Sequence, residues 1–239
     1  PVITVQGEEA NFKITHQQDI YLADNLIKDG LIGRMNHNAE NIEQALQGKV
    51  VVVIGASSGI GEDIVSLCQK VGAHVYPCSR SINNVDITDE TGLKNKLKEI
   101  QNAAGKIDFV INTTGLLNRK PLVTMTEQEV LDSYMVNYVG VLNIARASFY
   151  FLKQSRGMLI NFTSSSYTRG RGNYSIYSST KAAVVNFTQA LAEEWQPHGI
   201  KVNVINPERT ATPMRTANFG NEPAETLLSS EEVAEFTLS

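Results

Sequence analysis

Several features of other protein classes are missing from this sequence. It has only two cysteines, Cys68 and Cys78, which we interpret as buried thiols rather than as a disulfide or a metal pair. No run of Lys and Arg forms a basic face, and the formal net charge is −4, so nucleic acid is not expected as a partner. No stretch reaches the roughly 20 apolar residues that span a bilayer, and residues 1–10 lack the pattern of a signal peptide. We therefore expect a cytoplasmic protein that does not bind membranes.

The length and the overall composition indicate a folded globular protein. Hydrophobic residues make up 42% and charged residues 19% of the 239-residue chain, which is typical of ordinary globular domains. This length is enough for one large domain, or for one domain with an appendage. Because the sequence begins at Pro1 rather than at Met, and stops at Ser239 inside a predicted helix, we expect it to be part of a longer chain.

From residue 49 onward, apolar runs alternate with amphipathic segments of helical period. The run Val-Val-Val-Val-Ile at 50–54 is typical of a strand that is buried on both faces of a parallel sheet. Such alternation predicts a doubly wound α/β fold, with ligands at the carboxyl ends of the strands. The predicted strands are 50–54, 73–78, 107–112, 158–163 and 200–206, and the predicted helices are 60–71, 90–101, 127–153 and 175–196.

A glycine-rich turn follows the first predicted strand. The sequence Gly55-Ala-Ser-Ser-Gly59-Ile-Gly61 leads directly into a predicted helix. Glycines allow the backbone to approach a pyrophosphate closely, and the helix N-terminus supplies free N–H groups and a positive dipole end. We therefore predict a dinucleotide-binding turn rather than an ordinary loop, formed by Gly55, Ser57, Ser58, Gly59, Ile60 and Gly61.

Tyr177 and Lys181 lie four residues apart on a predicted helix, and so on one face of it. Tyr has an ordinary pKa of about 10, and we expect the neighbouring ammonium to lower that pKa by favouring the phenolate. Such a Tyr can give a proton to a carbonyl oxygen or take one from an alcohol. The same spacing also serves to brace helix surfaces, but Ser164, at the end of a predicted strand, favours the catalytic interpretation. Ser165 and Ser166 remain alternatives to Ser164.

Together, the glycine-rich turn, Ser164 and the Tyr-x-x-x-Lys pair resemble the short-chain dehydrogenase/reductase family, over residues 48–239. The resemblance implies a Rossmann-type fold and hydride transfer from a nicotinamide cofactor. It also implies a catalytic set of Asn137, Ser164, Tyr177 and Lys181, in which Asn137 holds a water that relays protons to Lys181. Dimers or tetramers through helices 127–153 and 175–196 are implied as well. Ile54 replaces the usual Thr, which should remove a local hydrogen bond but not the phosphate-binding turn. Glu208 replaces the usual Gly, so the local backbone conformation is expected to differ there.

The end of the second predicted strand bears on the choice of cofactor. Ser79 stands where the family places an acidic residue for the ribose 2′-hydroxyl of NAD, and Arg80 follows it. Because Arg pairs well with a 2′-phosphate, we predict NADPH; the alternative is that Arg80 is a solvated charge. The resemblance implies further cofactor contacts from Asp86, Asn112, Gly115, Pro207 and Thr212.

Residues 1–47 do not follow the alternation, and contain a predicted strand at 2–5 and a predicted helix at 18–28. The pattern Gly7-x-x-x-Asn11-x-Lys13-Ile-Thr15 with Asp19 resembles the C-terminal end of sugar- and polyol-phosphate cytidylyltransferases, with Lys13 in the position of their phosphate-binding lysine. The alternative is a simple leader strand and helix. We predict a remnant of such a domain with a linker at 1–47, and an NADP-binding reductase domain at 48–239 that lacks its last strand.

A cytidylyltransferase-like segment before a short-chain reductase resembles the bifunctional ribulose 5-phosphate reductases/CDP-ribitol pyrophosphorylases of bacterial capsule synthesis. The resemblance implies that D-ribulose 5-phosphate is reduced to D-ribitol 5-phosphate with NADPH. We expect Arg169, Arg171 and Arg209, on loops at the carboxyl ends of the strands, to bind the sugar phosphate. Arg119, Lys120 and Arg215 are further candidates. Two alternatives remain, a reductase of another ketone such as a 3-oxoacyl thioester, and a sensor that binds NADPH without turnover.

Overall fold

A parallel β-sheet between two layers of helices forms the described part of the protein. The structure, a computed structural model, describes residues 39–239, and their side chains from residue 42 onward. Its strands are β1 (Val50–Ile54), β2 (His74–Cys78), β3 (Phe109–Asn112), β4 (Met158–Phe162) and β5 (Lys201–Ile205). Its α-helices are α1 (Ala39–Leu46), α2 (Ile60–Lys70), α3 (Arg80–Asn83), α4 (Glu90–Ala104), α5 (Glu127–Tyr134), α6 (Gly140–Ser155), α7 (Ser175–Trp195), α8 (Pro213–Phe219) and α9 (Ser230–Leu238).

The order of the strands creates a crevice in the middle of the sheet. The order is β2-β1-β3-β4-β5, and all neighbouring strands run parallel. From β1 the chain moves to β2 on one side, and then crosses to β3 on the other side. Ile54 is in register with both Cys78 and Asn112, so the loops that follow these three strands leave the sheet at one level. Such a reversal point is where ligands bind in doubly wound folds.

Each face of the sheet has its own hydrophobic core. On one face, Val50 and Val52 pack with residues of α4, α6 and α7, among them Leu97, Ile144 and Trp195. On the other face, the alternate residues of β1 pack with α1, α2 and α9. Because side chains alternate along a strand, a strand buried on both faces is apolar throughout. The predicted doubly wound α/β fold is therefore confirmed.

The predicted strands and helices are present, with ends that differ by up to three residues from the predictions. The predicted helix at 127–153 is not regular, because a π-helical segment, Met135–Val139, separates α5 from α6. Two further helices, α1 before β1 and α8 after β5, form in segments for which no helix was predicted. The predicted strand at 2–5, the predicted helix at 18–28 and Lys13 lie outside the described residues.

Cys68 and Cys78 are both free and buried, which confirms their interpretation as buried thiols. Burial raises the pKa of the Cys68 thiol to about 12 and that of the Cys78 thiol to about 11, so both stay protonated and unreactive at neutral pH. Within residues 39–239, no group of three or more His, Cys, Asp or Glu side chains could hold a metal ion. No helix in the same range is long and apolar enough to cross a membrane.

Candidate active site

A cleft of about 680 Å³ opens along the carboxyl ends of the strands. Most of the residues predicted to bind the cofactor or to act on the substrate line it. In chain order, these are Gly55, Ser57, Ser58, Gly59, Ile60, Gly61, Ser79, Arg80, Asp86, Gly115, Ser164, Tyr177, Lys181, Pro207 and Thr212. Asn112 and Asn137 are buried behind the wall of the cleft. The fold thus brings together residues that are up to 157 positions apart in the sequence.

The glycine-rich turn is shaped by contacts that exclude any side chain. Gly55 has a φ of 90°, and a Cβ there would lie 2.6 Å from the Thr113 side-chain oxygen. A Cβ on Gly61 would overlap the Gly55 carbonyl oxygen. The turn therefore presents bare backbone and the N-terminus of α2 to the cleft. This concave surface fits a pyrophosphate group, which supports a dinucleotide as the ligand.

Thr113 and Thr114 follow Asn112 at the end of β3 and hold two loops together. The Thr113 hydroxyl donates to the carbonyl oxygens of Ile54 and Gly55, at 3.0 and 3.2 Å. This contact ties the glycine-rich turn to β3, although Ile54 itself has no hydroxyl. Asn112 does not reach the cleft, because its side-chain oxygen accepts hydrogen bonds from the Thr114 backbone and hydroxyl groups. Asn112 thus shapes the turn, and its predicted role in cofactor binding stays a prediction.

Lys181 and Tyr177 lie together on α7, as their spacing predicted. Lys181 is buried, with 3% of its surface exposed, and its Nζ donates to the Phe162 carbonyl oxygen at 3.0 Å. The same Nζ lies 5.6 Å from the centroid of the Tyr177 ring. The Thr163 hydroxyl donates to the Lys181 carbonyl oxygen at 2.9 Å. Both ends of Lys181 are therefore fixed to the carboxyl end of β4.

The prediction that the ammonium lowers the pKa of Tyr177 is wrong for this structure. Burial raises the pKa of Tyr177 to about 12, and a polar contact with the Ser164 side chain offsets only part of that rise. Burial also lowers the pKa of Lys181 to about 8. In both cases the loss of hydration disfavours the charged form. At neutral pH, Tyr177 is therefore a proton donor rather than a phenolate.

Among the three serines after β4, Ser164 is the one whose side chain contacts Tyr177. Its Oγ accepts hydrogen bonds from the Ser166 backbone N–H at 3.3 Å and from the Ser166 hydroxyl at 3.2 Å. Ser166 is buried, at 3% exposure. The arrangement keeps the Ser164 hydroxyl beside Tyr177 in the cleft, where it can donate to a substrate oxygen. Ser165 also lines the cleft, but no such contact joins it to Tyr177.

Asn137 lies in the π-helical segment and is fully buried. Its side chain accepts a hydrogen bond from the Leu116 N–H at 2.7 Å and donates one to the Leu116 carbonyl oxygen at 2.8 Å. A Cβ on Gly115 would lie 3.7 Å from Lys181 Nζ and 3.8 Å from Asn137 Oδ1, so both side chains adjoin the loop after β3. The structure shows Asn137 fixing this loop, and its part in a proton relay stays a prediction.

The cleft continues past the end of β2. The Ser79 hydroxyl accepts a hydrogen bond from the Ile82 N–H at 3.1 Å, and so caps α3, while Arg80 is exposed beside it. Asp86 accepts hydrogen bonds from the Thr88 N–H and hydroxyl at 2.8 and 2.7 Å. These two bonds, more than the charge of Arg80, lower the pKa of Asp86. A hydroxyl and a guanidinium thus occupy the place where an acidic residue would bind a ribose 2′-hydroxyl.

The arginines predicted to bind phosphate occupy different environments. Arg171 and Arg209 line the cleft, but Arg169 is exposed and lies outside it. The predicted role of Arg169 in phosphate binding stays a prediction. Lys120 pairs with Glu129 at 2.5 Å, and Arg215 pairs with Glu222 at 2.6 Å.

The helix α8 covers the cleft, and sequence reasoning missed it. Thr212 caps the helix by accepting a hydrogen bond from the Arg215 N–H at 3.2 Å, and Pro213 is its first residue. A Thr N-cap followed by Pro is a recognised helix start, so the signal was present in the sequence. Phe219, at the other end, lies 6.0 Å from the ring of Tyr174, which lies 6.4 Å from that of Tyr177.

The fold and the site define a Rossmann-type oxidoreductase that uses a nicotinamide cofactor. Residues 49–223 match the model of the family described as short chain dehydrogenase. The chain belongs to the short-chain dehydrogenase family.

Relatives of known name extend this assignment. The chain is 46% identical over 235 residues to the bifunctional ribulose 5-phosphate reductase/CDP-ribitol pyrophosphorylase of Haemophilus influenzae, an alignment that covers 96% of this chain and 48% of that protein. It therefore spans about half the length of this relative. The fold is similar to that of the 3-ketoacyl-(acyl-carrier-protein) reductase of Brucella melitensis complexed with NADH, at 27% identity and a TM-score of 0.75, covering 80% of this chain and 90% of that one. It is also similar to a short chain dehydrogenase of Burkholderia cenocepacia in complex with NADP, at 25% identity and a TM-score of 0.72, covering 80% and 83%.

Proposed function

We propose that this protein reduces a ketose phosphate with NADPH, and that the substrate is D-ribulose 5-phosphate and the product D-ribitol 5-phosphate. The observation that carries the proposal is the convergence of Ser164, Tyr177 and Lys181 in a cleft that also contains Arg171 and Arg209. The similarity to a ribulose 5-phosphate reductase along 96% of this chain supports the choice of substrate. On this proposal the product feeds the synthesis of CDP-ribitol for capsule polysaccharide.

The protonation states of the buried pair suit reduction. When bound, NADPH supplies the hydride. The Ser164 hydroxyl donates a hydrogen bond to the substrate carbonyl oxygen, and Tyr177 gives its proton to that oxygen as negative charge develops there. Lys181 holds its positive charge beside the Tyr177 ring and stabilises the phenolate that remains. The set of four residues is complete, which argues against a sensor without turnover.

The residues at the end of β2 support NADPH as the cofactor. A 2′-phosphate carries negative charge, which the exposed Arg80 can neutralise through charge-assisted hydrogen bonds. Ser79 offers no negative charge to oppose it. The hydroxyls of Ser79 and Ser81 lie 3.2 Å apart and both line the cleft, so each is placed to contact the same phosphate group.

We also propose that residues 1–47 are the remnant of a cytidylyltransferase-like domain with its linker, and that 48–239 form the reductase domain. The alignment with the bifunctional relative includes 235 residues, more than the reductase segment alone contains, and so extends into the N-terminal segment. A homo-oligomer through α5, α6 and α7 remains part of the proposal. Tyr134 and Tyr150 on these helices are exposed, at 42% and 73%.

The alternative substrate is another ketone, such as a 3-oxoacyl thioester. The similarity to a 3-ketoacyl-(acyl-carrier-protein) reductase favours it, but the identity is lower, at 27%. The charges in the cleft favour the phosphorylated sugar, because two guanidinium groups beside the reacting centre stabilise a phosphate and gain nothing from an acyl chain.

The test compares D-ribulose 5-phosphate, D-ribulose and a 3-oxoacyl thioester as substrates, by following NADPH oxidation by absorbance. We expect turnover with the phosphorylated sugar at a KM at least about tenfold below that for D-ribulose. Arg171→Ala and Arg209→Ala should each raise that KM, whereas Arg169→Ala, outside the cleft, is the matched control and should not. Faster turnover of the thioester than of either sugar would refute the proposed substrate and retain the reductase.

A further inference from the structure

Arg215 of α8 and Glu222, which follows that helix, form an ion pair that lines the same cleft as Tyr177. Arg215 donates from Nε and Nη2 to the two carboxylate oxygens of Glu222, at 2.6 and 2.7 Å. About a fifth of each side chain is exposed, 19% for Arg215 and 21% for Glu222, and both line the cleft. A guanidinium binds a phosphate with the same two parallel hydrogen bonds that it makes to a carboxylate. The pair therefore shows a formed anion site that a side chain of the protein occupies.

Two more arginines, Arg119 and Arg209, lie close to the Glu222 carboxylate. Arg119 lies against the same aromatic ring as Arg215. The guanidinium carbons of Arg119 and Arg215 lie 4.7 and 4.5 Å from the centroid of the Phe219 ring. Arg119 is held there, because it donates from its backbone N–H to the Asn218 side chain at 3.1 Å and from Nη1 to the Asn218 carbonyl oxygen at 3.3 Å. Two guanidinium groups beside one ring repel each other unless an anion lies near them.

The lowered pKa of Glu222 is consistent with this grouping of arginines. The hydrogen bonds from Arg215 are the largest cause of its lowered pKa, and the charges of Arg209 and Arg119 lower it further. Arg209 lines the cleft together with Arg215 and Glu222. Arg215 therefore holds the Glu222 carboxylate, and the charges of Arg209 and Arg119 reach the same carboxylate.

The position of α8 places this group beside the reacting centre. Thr212, at the start of the helix, packs over the glycine-rich turn, since a Cβ on Gly59 would lie 3.2 Å from its methyl group. Phe219, at the other end, contacts Tyr174, and Tyr174 contacts Tyr177. Arg215, which lines the cleft beside Phe219, therefore lies on the side of Tyr174 and Tyr177 rather than at the cofactor end at Arg80.

We propose that Arg209 and Arg215 bind the anionic end of the substrate, that the nearby charge of Arg119 strengthens this site, and that Glu222 competes with the substrate for Arg215 and is displaced when the substrate binds. This inference rests on the proposed reduction of a phosphorylated ketose and specifies its binding site. A phosphate monoester carries up to two negative charges and three acceptor oxygens, so it replaces a single carboxylate effectively. An uncharged end does not. Glu222 thus sets the affinity for the substrate without touching the reacting atoms.

The first test measures the binding of inorganic phosphate by calorimetry to protein saturated with NADPH, so that the 2′-phosphate site near Arg80 is already filled. We expect Glu222→Gln to bind phosphate about three- to tenfold more tightly than the wild type, and Arg215→Gln to bind it more weakly by a similar factor. Arg209→Gln should also weaken binding, and it leaves the Arg215–Glu222 pair in place. Glu225→Gln is the matched control, since Glu225 is exposed and outside the cleft lining, and it should bind like the wild type.

Unchanged or weaker phosphate binding by Glu222→Gln would overturn the competitor role, and unchanged binding by both Arg variants would overturn the site. A second measurement separates the site from the proposed substrate. With D-ribulose 5-phosphate, Glu222→Gln should lower KM and leave kcat unchanged. If neither D-ribulose 5-phosphate nor D-ribulose is turned over while phosphate binding follows the expected pattern, the anion site stands and the proposed substrate fails. If the sugar phosphate is turned over and its KM does not change when Arg215 or Glu222 is replaced, the proposed substrate stands and the anion site fails.

Discussion

The ammonium nitrogen of Lys181 lies 5.6 Å from the centre of the Tyr177 ring. Lys181 is buried and Tyr177 is half-buried in the wall of the cleft. Loss of hydration moves their pKa values toward the neutral forms, to about 8 for Lys181 and about 12 for Tyr177. Between neutral pH and about 8, Tyr177 is uncharged and holds its proton, while Lys181 is charged. This is the state that protonates a carbonyl oxygen and then stabilises the phenolate.

The rate of reduction is expected to fall as the pH rises through about 8. The group that titrates there is Lys181, whose pKa burial lowers from 10.5 to about 8, whereas Tyr177 keeps its proton until about pH 12. Because the ammonium is the active form, kcat/KM for reduction should follow one ionisation, with the activity on its acidic side. A rate that stays constant through this pH range, with an unchanged circular dichroism spectrum, would contradict the assignment.

Replacing Lys181 with Met is expected to abolish turnover without lowering the melting temperature. The lowered pKa means that the folded protein loses about 3 kcal/mol of stability by burying the charge at neutral pH. Met at position 181 removes this cost of burying a charge. It also removes the hydrogen bond from Lys181 Nζ to the Phe162 carbonyl oxygen, which contributes only about 1 kcal/mol to stability. In the wild type the unfolded state binds more protons between pH 8 and 10.5, so stability should rise with pH across this window.

Thermal unfolding of the two proteins, followed across the same window, checks both statements. The Lys181→Met variant should lack the rise in stability with pH that the wild type shows. A large fall in melting temperature at neutral pH would mean instead that Lys181 stabilises the fold, which is the opposite of what its burial predicts.

The parts of the fold and site that the sequence predicts are those that depend on neighbours along the chain. The turn from Gly55 to Gly61 and the Tyr177–Lys181 spacing are local patterns, and each lies where it was expected. The covering helix α8 also had a local signal in Thr212 and Pro213, but it was not among the predicted helices. Periodicity predicted the strands for the same reason, and β1, with the longest apolar run, is buried throughout.

Features that depend on distant contacts could not be predicted. Arg169 and Arg171 lie two residues apart on one loop, and only the folded loop decides which of them faces the cleft. The raised pKa of Tyr177 reflects loss of water, which spacing alone does not reveal. The partner of Arg215 is Glu222, and the charge of Arg119 reaches it from the loop after β3. Contacts between loops that follow different strands therefore determine which side chains meet at the substrate end of the cleft.

Gly61→Ala is expected to weaken NADPH binding by at least about tenfold, because its Cβ would overlap the Gly55 carbonyl oxygen and force the turn apart. Gly170→Ala is the matched control. It lies on the loop after β4, and a Cβ there has no neighbour within 4 Å. Titration of the two variants and the wild type by the fluorescence of NADPH gives the comparison. If Gly61→Ala and the wild type bind NADPH with equal affinity, the glycine-rich turn is not part of the cofactor site.

The double variant Ser79→Asp, Arg80→Ala is expected to change the preference from NADPH to NADH. Asp caps helices as well as Ser does, so α3 should persist, while the new carboxylate accepts a bond from the ribose 2′-hydroxyl and repels a 2′-phosphate. The ratio of kcat/KM with NADPH to that with NADH should fall by at least about a hundredfold. If the ratio does not change, Arg80 is a solvated charge, as in the alternative interpretation.

The most direct test of the account is the turnover of D-ribulose 5-phosphate with NADPH by wild type and Tyr177→Phe, with Tyr150→Phe as control because Tyr150 is 73% exposed on α6. Removing the Tyr177 hydroxyl removes the proton donor, and kcat should fall by about 10² to 10⁴, while the affinity for NADPH stays within about twofold of the wild type. Tyr150→Phe should react like the wild type. A Tyr177→Phe variant that retains the wild-type kcat would contradict the central claim.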